Sequence, residues 1–281
     1  GPVVAADEAD PDVRIVKDVA YLGEDRAEKM DLYFPAKIAE GAKLPAVLII
    51  HGGGWYAGDK GAAREINIGT TLAKSGYVCA SINYVLGEEH GERFIRTLTT
   101  VWPKNLHDCK TAVRYLRKNA DEYHIDVEHI GVIGGSAGGH LTSMVGMTGP
   151  DDGLDPDGLY NDHSCRVQAI VPLYGVYDFT AMTKFQKMYD DSTDAEKALC
   201  LKTSPVAFAT KDDPPALLIH GTGDATVPVE ESELLHQALE AAGVPSELVI
   251  VEGAPHSFHL QPKERDLRAQ VIGFFDKHLK P

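Results

Sequence analysis

The chain has 281 residues, 43% of them hydrophobic and 25% charged, which are ordinary globular values that exclude disorder, a disulfide scaffold and a collagen-like chain. Acidic residues number 42 against 27 basic ones, a formal net charge of −15, and that negative field argues against nucleic acid and anionic membranes as partners. A chain of this length buries about three quarters of its unfolded surface without help from a disulfide or a metal.

The first residues lack a basic segment followed by an apolar one, so no signal peptide is read there. Gly1-Pro2 reads as a cloning remnant. Residues 1–12 are expected to be a flexible acidic leader, and 13–281 a single domain. A trimmed signal peptide would leave such a start, which tilts the expectation toward a secreted or periplasmic protein over a cytoplasmic one. The oligomeric state is left open.

Short apolar runs then alternate with helical patterns. Val13–Leu22 and Lys29–Phe34 are amphipathic and predict an edge hairpin. Ala46–Ile50, Tyr77–Tyr84, Ile130–Ile133, Ala169–Tyr174, Ala216–His220 and Glu247–Val251 are apolar on both faces, which suits parallel strands covered by helices on both sides. Ala46–Ile50 is the longest apolar run and far too short to span a membrane.

Between the strands, Leu106, Cys109, Val113 and Leu116 keep helical spacing after Pro103. Leu234, Leu235, Ala238, Leu239 and Ala242 form a stripe that stops at Gly243. Leu267, Val271, Phe274, Phe275 and Leu279 form the last. The alternation predicts an α/β fold, a mostly parallel sheet flanked by helices. Gly87–Pro103, Gly149–Arg166 and Asp178–Pro205 resist assignment, and such stretches often form rims or lids.

Cys79 and Cys109 read as buried thiols, and a disulfide between Cys165 and Cys200 is left open. No Cys-x-x-Cys spacing supports zinc or redox chemistry.

The strongest chemical signal is Gly134-Gly135-Ser136-Ala137-Gly138, between an apolar strand and a small-residue helix. Such a turn lifts a serine hydroxyl to the top of a sheet, and small neighbours let backbone segments pass closely. The Lys-Ser/Thr of a phosphate loop is missing. His51-Gly52-Gly53-Gly54-Trp55 follows Ala46–Ile50 and supplies the second signal. A carbonyl attacked by serine becomes an oxyanion, which needs backbone N–H groups aimed at it. Gly53, Gly54 and Ala137 are the candidate donors. His51 has no second histidine or carboxylate near it in sequence, so it reads as loop-shaping, and no metal or cofactor is expected.

An acid and a base should follow the serine in chain order. Asp224 lies just past one predicted strand and His256 just past the last, at carboxyl ends where open α/β sheets place their sites. His256 is the candidate base and Asp224 the residue that orients it. His259 and Asp178 are the competing base and acid, while Asp212 and Asp213 precede their strand, at its wrong end.

The chain resembles α/β-hydrolase esterases of the broad group that includes hormone-sensitive-lipase-like carboxylesterases. It is more similar to bacterial acetyl xylan and feruloyl esterase-like hydrolases. That closer resemblance rests on His51–Trp55 with Gly58-Asp59-Lys60, on Asp108–Arg117, on Gly134–His140, and on Ser204-Pro205-Val206 ahead of Asp212–Pro215. It covers nearly the whole chain from Val13 and implies an eight-stranded α/β-hydrolase sheet and a cofactor-free Ser-His-Asp esterase acting on small or carbohydrate-linked esters. The lipase-like group usually has Asp before its serine, where this chain has Gly135. The long N-terminal cap of that group is not evident either.

Trp55 and Tyr56 are candidates for stacking on a sugar or an aromatic acyl group, though Trp55 packed under its loop is an equal alternative. Tyr84 and Trp102 are further rim candidates, though such residues are more often structural. Asp151, Asp152, Asp155 and Asp157 lack the spacing of a calcium loop and read as a solvated segment. His140 is expected to pack on its helix. Beside the esterase reading stand two others, a small-amide hydrolase on the same triad and a non-catalytic binding protein on a hydrolase fold.

Overall fold

A computed structural model describes residues 10–180 and 185–280. Gly1-Pro2 and most of the expected leader lie outside the described residues, as do residues 181–184 of the unassigned stretch Asp178–Pro205. Eight strands appear where the sequence places them: β1 (Val13–Val19), β2 (Met30–Pro35), β3 (Leu44–Ile50), β4 (Val78–Ile82), β5 (Ile125–Gly135), β6 (Ala169–Leu173), β7 (Ala216–Gly221) and β8 (Ser246–Val251). They form one sheet in the order β1-β2-β4-β3-β5-β6-β7-β8. β1 pairs with β2 and β2 with β4 antiparallel; every later pair is parallel.

Two strands depart from their expected burial. β2 was expected to be amphipathic at an edge, but it pairs on both sides and is buried along nearly its whole length. β8 was expected to be covered on both faces, yet it has one strand neighbour and is mostly half-buried. An edge position leaves a strand only half shielded, whatever its side chains.

Eight α-helices are described: α1 (Ala63–Lys74), α2 (Phe94–Val101), α3 (Lys104–Lys118), α4 (Ala137–Met147), α5 (Gln186–Asp190), α6 (Asp194–Thr203), α7 (Glu230–Ala242) and α8 (Arg268–Leu279). Strand side chains alternate between two cores, as a period of two requires. Ala46, Leu48 and Ile50 join the core under α2, α3, α4 and α7, whereas Val47 and Ile49 join the core under α1 and α8. α7 ends where Gly243 adopts φ 81°, the left-handed stop its stripe implied. α4 is buried along all eleven residues, and a Cβ on Gly138 would come within 2.0 Å of the Ile50 carbonyl oxygen. Only glycine lets that helix sit so close to β3.

The unassigned stretches hold α2, α5 and α6. α6 opens with a reciprocal cap, in which Thr193 accepts from the Glu196 N–H and Glu196 accepts from the Thr193 N–H. All four cysteines are free and buried, so Cys165 and Cys200 are not paired. Among the described residues, no helix is long and apolar enough to cross a membrane.

Candidate active site

β5 runs into α4 through a single residue, Ser136, held at φ 58° and ψ −121°. A non-glycine residue in that region costs on the order of 1–3 kcal/mol and persists only where its surroundings over-determine it. Here the Ser136 N–H donates to the Leu173 carbonyl at 2.9 Å, and the Ser136 carbonyl accepts from the His140 N–H at 3.0 Å. The hydroxyl is left at the amino end of α4, clear of the sheet.

The loops after β7 and β8 bring the other two candidates to it. Ser136 Oγ lies 2.9 Å from His256 Nε2, and His256 Nδ1 lies 2.6 Å from Asp224 Oδ2. β7 and β8 are parallel neighbours, so the loops at their carboxyl ends emerge side by side. Asp178 is spent elsewhere: its Oδ1 accepts from the N–H and hydroxyl of Thr180. His259 Nδ1 accepts from the Gln261 N–H.

The Asp224 side chain is 1% exposed. Burial opposes its ionisation, but hydrogen bonds from His220, His256 and the Val227 N–H outweigh that cost and hold it well below the usual carboxylate range. Its Oδ1 accepts from the N–H groups of Thr226 and Val227, each at 2.8 Å. His220 is a further site residue, not among the candidates read from the sequence. Its Nε2 lies 3.0 Å from the Val227 carbonyl and 3.2 Å from Asp224 Oδ2. Its Nδ1 lies 2.7 Å from Ser232 Oγ. A carbonyl only accepts, so the proton sits on Nε2 and points toward both oxygens. The available signal was its place in His220-Gly-x-Gly-Asp224, four residues before the acid.

On the opposite side, Gly53, Gly54 and Trp55 have φ of 111°, 60° and 65°. A Cβ on Gly53 would come within 2.2 Å of the Ala57 carbonyl oxygen, so the tight turn demands glycine there. His51 shapes the loop, stacked on Tyr84 at 4.4 Å, while the Tyr84 hydroxyl donates to the His51 carbonyl at 2.9 Å. Burial pushes His51 down to about 4, so it is neutral at pH 7. Tyr84 is therefore a packing residue and not a rim residue.

Trp55 is 2% exposed, and its Nε1–H donates to His140 Nδ1 at 3.1 Å. His140 Nε2–H in turn donates to the Thr203 carbonyl at 2.7 Å. This chain ties the glycine loop to α4 and to the end of α6. Burial lowers His140 to about 4, which keeps it neutral and able to accept from the indole. Of the two expectations for Trp55, the structure shows the packed one: it lies under the loop with its indole N–H bonded to His140. Trp102 lies against His140 at 5.9 Å.

Gly53, Gly54, Ser136, Ala137 and His256 all border one cavity of about 300 Å³. Val176, Val227, Phe94 and the buried Trp55 give it an apolar side, with Tyr56, Arg64, Thr226 and Ser257 around the rest. A larger, open groove of about 880 Å³ runs between α1 and α8 and touches none of the triad candidates. Among the described residues no group of His, Cys, Asp or Glu is arranged to hold a metal. Asp155 of the acidic stretch instead pairs with the buried Lys110 at 2.5 Å.

A family model described as BD-FAE matches residues 30–239, well over half of the chain. The chain belongs to the BD-FAE family. The BD-FAE match takes in the glycine loop, Ser136 and Asp224; a model described as TAP-like protein matches residues 200–281 and takes in His256. A similar curated protein is the probable carboxylic ester hydrolase LipM of Mycobacterium tuberculosis, 30% identical over 269 residues, 88% of this chain and 58% of that protein. The BD-FAE chain thus spans less than two thirds of that relative's length, and 59% of esterase LipC of the same organism. A truncated carbohydrate esterase from gut microbiota superposes with a TM-score of 0.81 at 26% identity, over 96% of this chain and 98% of that one. The acetyl ester-xyloside bifunctional hydrolase of Caldicellulosiruptor lactoaceticus gives 0.73 at 25% identity, over 90% and 89%. The fold of this BD-FAE chain is that of the α/β-hydrolases.

Proposed function

We propose that this protein is a serine carboxylic ester hydrolase working through an acyl-enzyme on Ser136. The observation that carries the reading is the unbroken hydrogen-bond chain Asp224–His256–Ser136, opening on a cavity bordered by Gly53, Gly54 and Ala137. Ser136 Oγ attacks the ester carbonyl carbon while its proton passes to His256 Nε2. The carbonyl electron pair moves to oxygen, and the backbone N–H groups of Gly53, Gly54 and Ala137 receive that charge. The amino end of α4 adds a favourable dipole at the same point. The carbon–alkoxy bond breaks, and the leaving oxygen takes the proton from His256. Water then repeats the sequence on the acyl-enzyme, with His256 as base. Ionised Asp224 keeps the His256 proton on Nδ1 and stabilises the imidazolium.

The acyl group in this reading is acetyl or the bulkier aromatic feruloyl, and the alcohol belongs to plant polysaccharide or another small ester. A cavity near the small end for ligand sites, with one apolar side, suits such groups. The likeness to a carbohydrate esterase and to an acetyl ester-xyloside hydrolase supports the carbohydrate side of the reading. Tyr56, half-buried at the cavity edge, is the rim residue of this reading.

The test is hydrolysis of p-nitrophenyl acetate by the wild type and Ser136→Ala. Loss of ~10³-fold or more in kcat is expected. Undiminished turnover in the variant overturns the mechanism. A panel of acetylated xylan, methyl ferulate and long-chain p-nitrophenyl esters then tests the substrate: activity confined to the long chains contradicts the carbohydrate reading.

A further inference from the structure

The ring of His256 is anchored at both nitrogens, but its backbone also has to be held. The next residue, Ser257, is exposed and adopts φ 66°. That left-handed conformation costs a non-glycine residue ~1 kcal/mol or more and relaxes unless something fixes it. Relaxation would swing the imidazole away from Ser136.

What holds the turn comes from the other end of the sheet order. Arg64, in the first turn of α1, donates from Nη1 to Ser257 Oγ at 3.2 Å and to the Tyr174 hydroxyl at 3.2 Å. Tyr174 passes the restraint on, because its hydroxyl donates to the Phe258 carbonyl at 2.5 Å. The residue after His256 and the one after that are therefore tied to the same guanidinium. The Tyr174 ring also meets His256 edge-to-face at 5.3 Å and Phe258 at 4.6 Å. Arg64 is itself braced by Nε, which donates to the buried Glu65 carboxylate at 2.7 Å.

Room for this clamp is made by Gly135. A Cβ there would lie 2.7 Å from the Tyr174 hydroxyl and 2.8 Å from Arg64 Nη1. The departure from the Asp-before-serine pattern thus has a physical counterpart: the space a side chain would fill holds the Arg64–Tyr174 pair.

We infer that Arg64 is a positioning residue for His256, pinning the strained turn His256–Ser257–Phe258 through Ser257 and Tyr174. The inference rests on the ester-hydrolase reading of Ser136. Arginine suits the task because its planar guanidinium is held to Glu65 through Nε while Nη1 reaches Ser257 and Tyr174, whereas a lysine ammonium on a flexible stem does not reproduce that fixed geometry. A small displacement of a catalytic group costs on the order of 100-fold in rate.

The experiment measures kcat and KM on p-nitrophenyl acetate for the wild type, Arg64→Met, Arg64→Lys, Tyr174→Phe and the Arg64→Met/Tyr174→Phe double variant, with Ser136→Ala as control. Arg64→Met is expected to lose about 100-fold in kcat with KM held within about twofold. Arg64→Lys should recover part of that loss. Tyr174→Phe keeps the buried ring, and its loss should be about tenfold and vanish in the Arg64→Met background, because both act through one turn. A raised KM with kcat unchanged, unaltered kinetics in Arg64→Met, or losses that simply multiply in the double variant each overturn the inference. If Ser136→Ala itself keeps full turnover, the ester-hydrolase reading fails instead, which separates the two.

Discussion

The turn after β7 and the first turn of α7 each bury a carboxylate, and the two behave oppositely. Asp224 receives hydrogen bonds at both oxygens, two from backbone N–H groups and two from histidines. Glu231, seven residues on and 0% exposed, accepts from the N–H groups of Tyr177 and Asp178 at one oxygen, at 2.7 and 2.8 Å. Its other oxygen is buried without a partner among the described residues. Burial pushes Glu231 up to about 7, against the pull of those two N–H groups and with the help of nearby Asp178 and Glu230. Burial also acts on Asp224, yet its pKa lies far below the usual range. What separates them is the second oxygen. Satisfied by donors, it makes a fixed anion that can orient an imidazole; left without one, it makes a carboxyl that holds its proton up to about pH 7 while bracing the loop that carries Val176.

The comparison can be broken most sharply at Asp224. Asp224→Asn keeps the shape but puts an amide where His256 Nδ1 needs an acceptor, so the wrong tautomer is favoured. The expected loss is ~10⁴-fold in kcat with the melting temperature little changed. A drop of less than tenfold would mean that ionised Asp224 does not orient the base.

Glu231→Gln tests the other half through stability. The unfolded glutamic acid titrates at about 4.5 and the folded one at about 7. Between those values the folded chain holds a proton that the unfolded chain has lost, so stability falls as pH rises through that window. The shift is worth on the order of 3 kcal/mol. Denaturant melts at pH 5 and pH 8 should therefore show the variant gaining on the wild type at the higher pH, with kcat within a few-fold. A constant difference between the two pH values would contradict the raised Glu231.

The smallest effect is expected between the two carboxylates. Ser232→Ala removes the partner of His220 Nδ1 but leaves His220 Nε2 facing Asp224. A stability loss of ~1 kcal/mol and a kcat change under about threefold are expected. A kcat loss as deep as that of Asp224→Asn would move His220 from support to the centre of the site.

The features legible beforehand share one property: their information is local. Strands such as Ala46–Ile50 show their two-sided burial within a few residues, and the sharp turn at Ser136 is encoded within five. The α6 start was equally local, in Thr193 and Glu196, and was overlooked among the polar residues around it. Trp55 was legible only as an aromatic beside the glycine loop. Its burial depends on His140, 85 residues away. Arg64 carried no local mark, since Tyr174 and Ser257 lie 110 and 193 residues from it. The burial of β2 depends on β4 arriving to pair with its second side.

The sequence by itself determined the alternation of strands and helices, the strained serine turn and the glycine loop, because side-chain period and turn chemistry act over neighbouring residues. It also limited the acid to a few candidates. Only the tertiary structure decided which aspartate meets His256: β8 lies beside β7, so the loops bearing His256 and Asp224 share one edge, while the loop after β6 turns its aspartate inward to Thr180. It alone decided that Asp224 is held well below the usual carboxylate range while Glu231 is raised to about 7, because that depends on burial and on the distant groups that reach each carboxylate, His256 for one and the N–H groups of Tyr177 and Asp178 for the other.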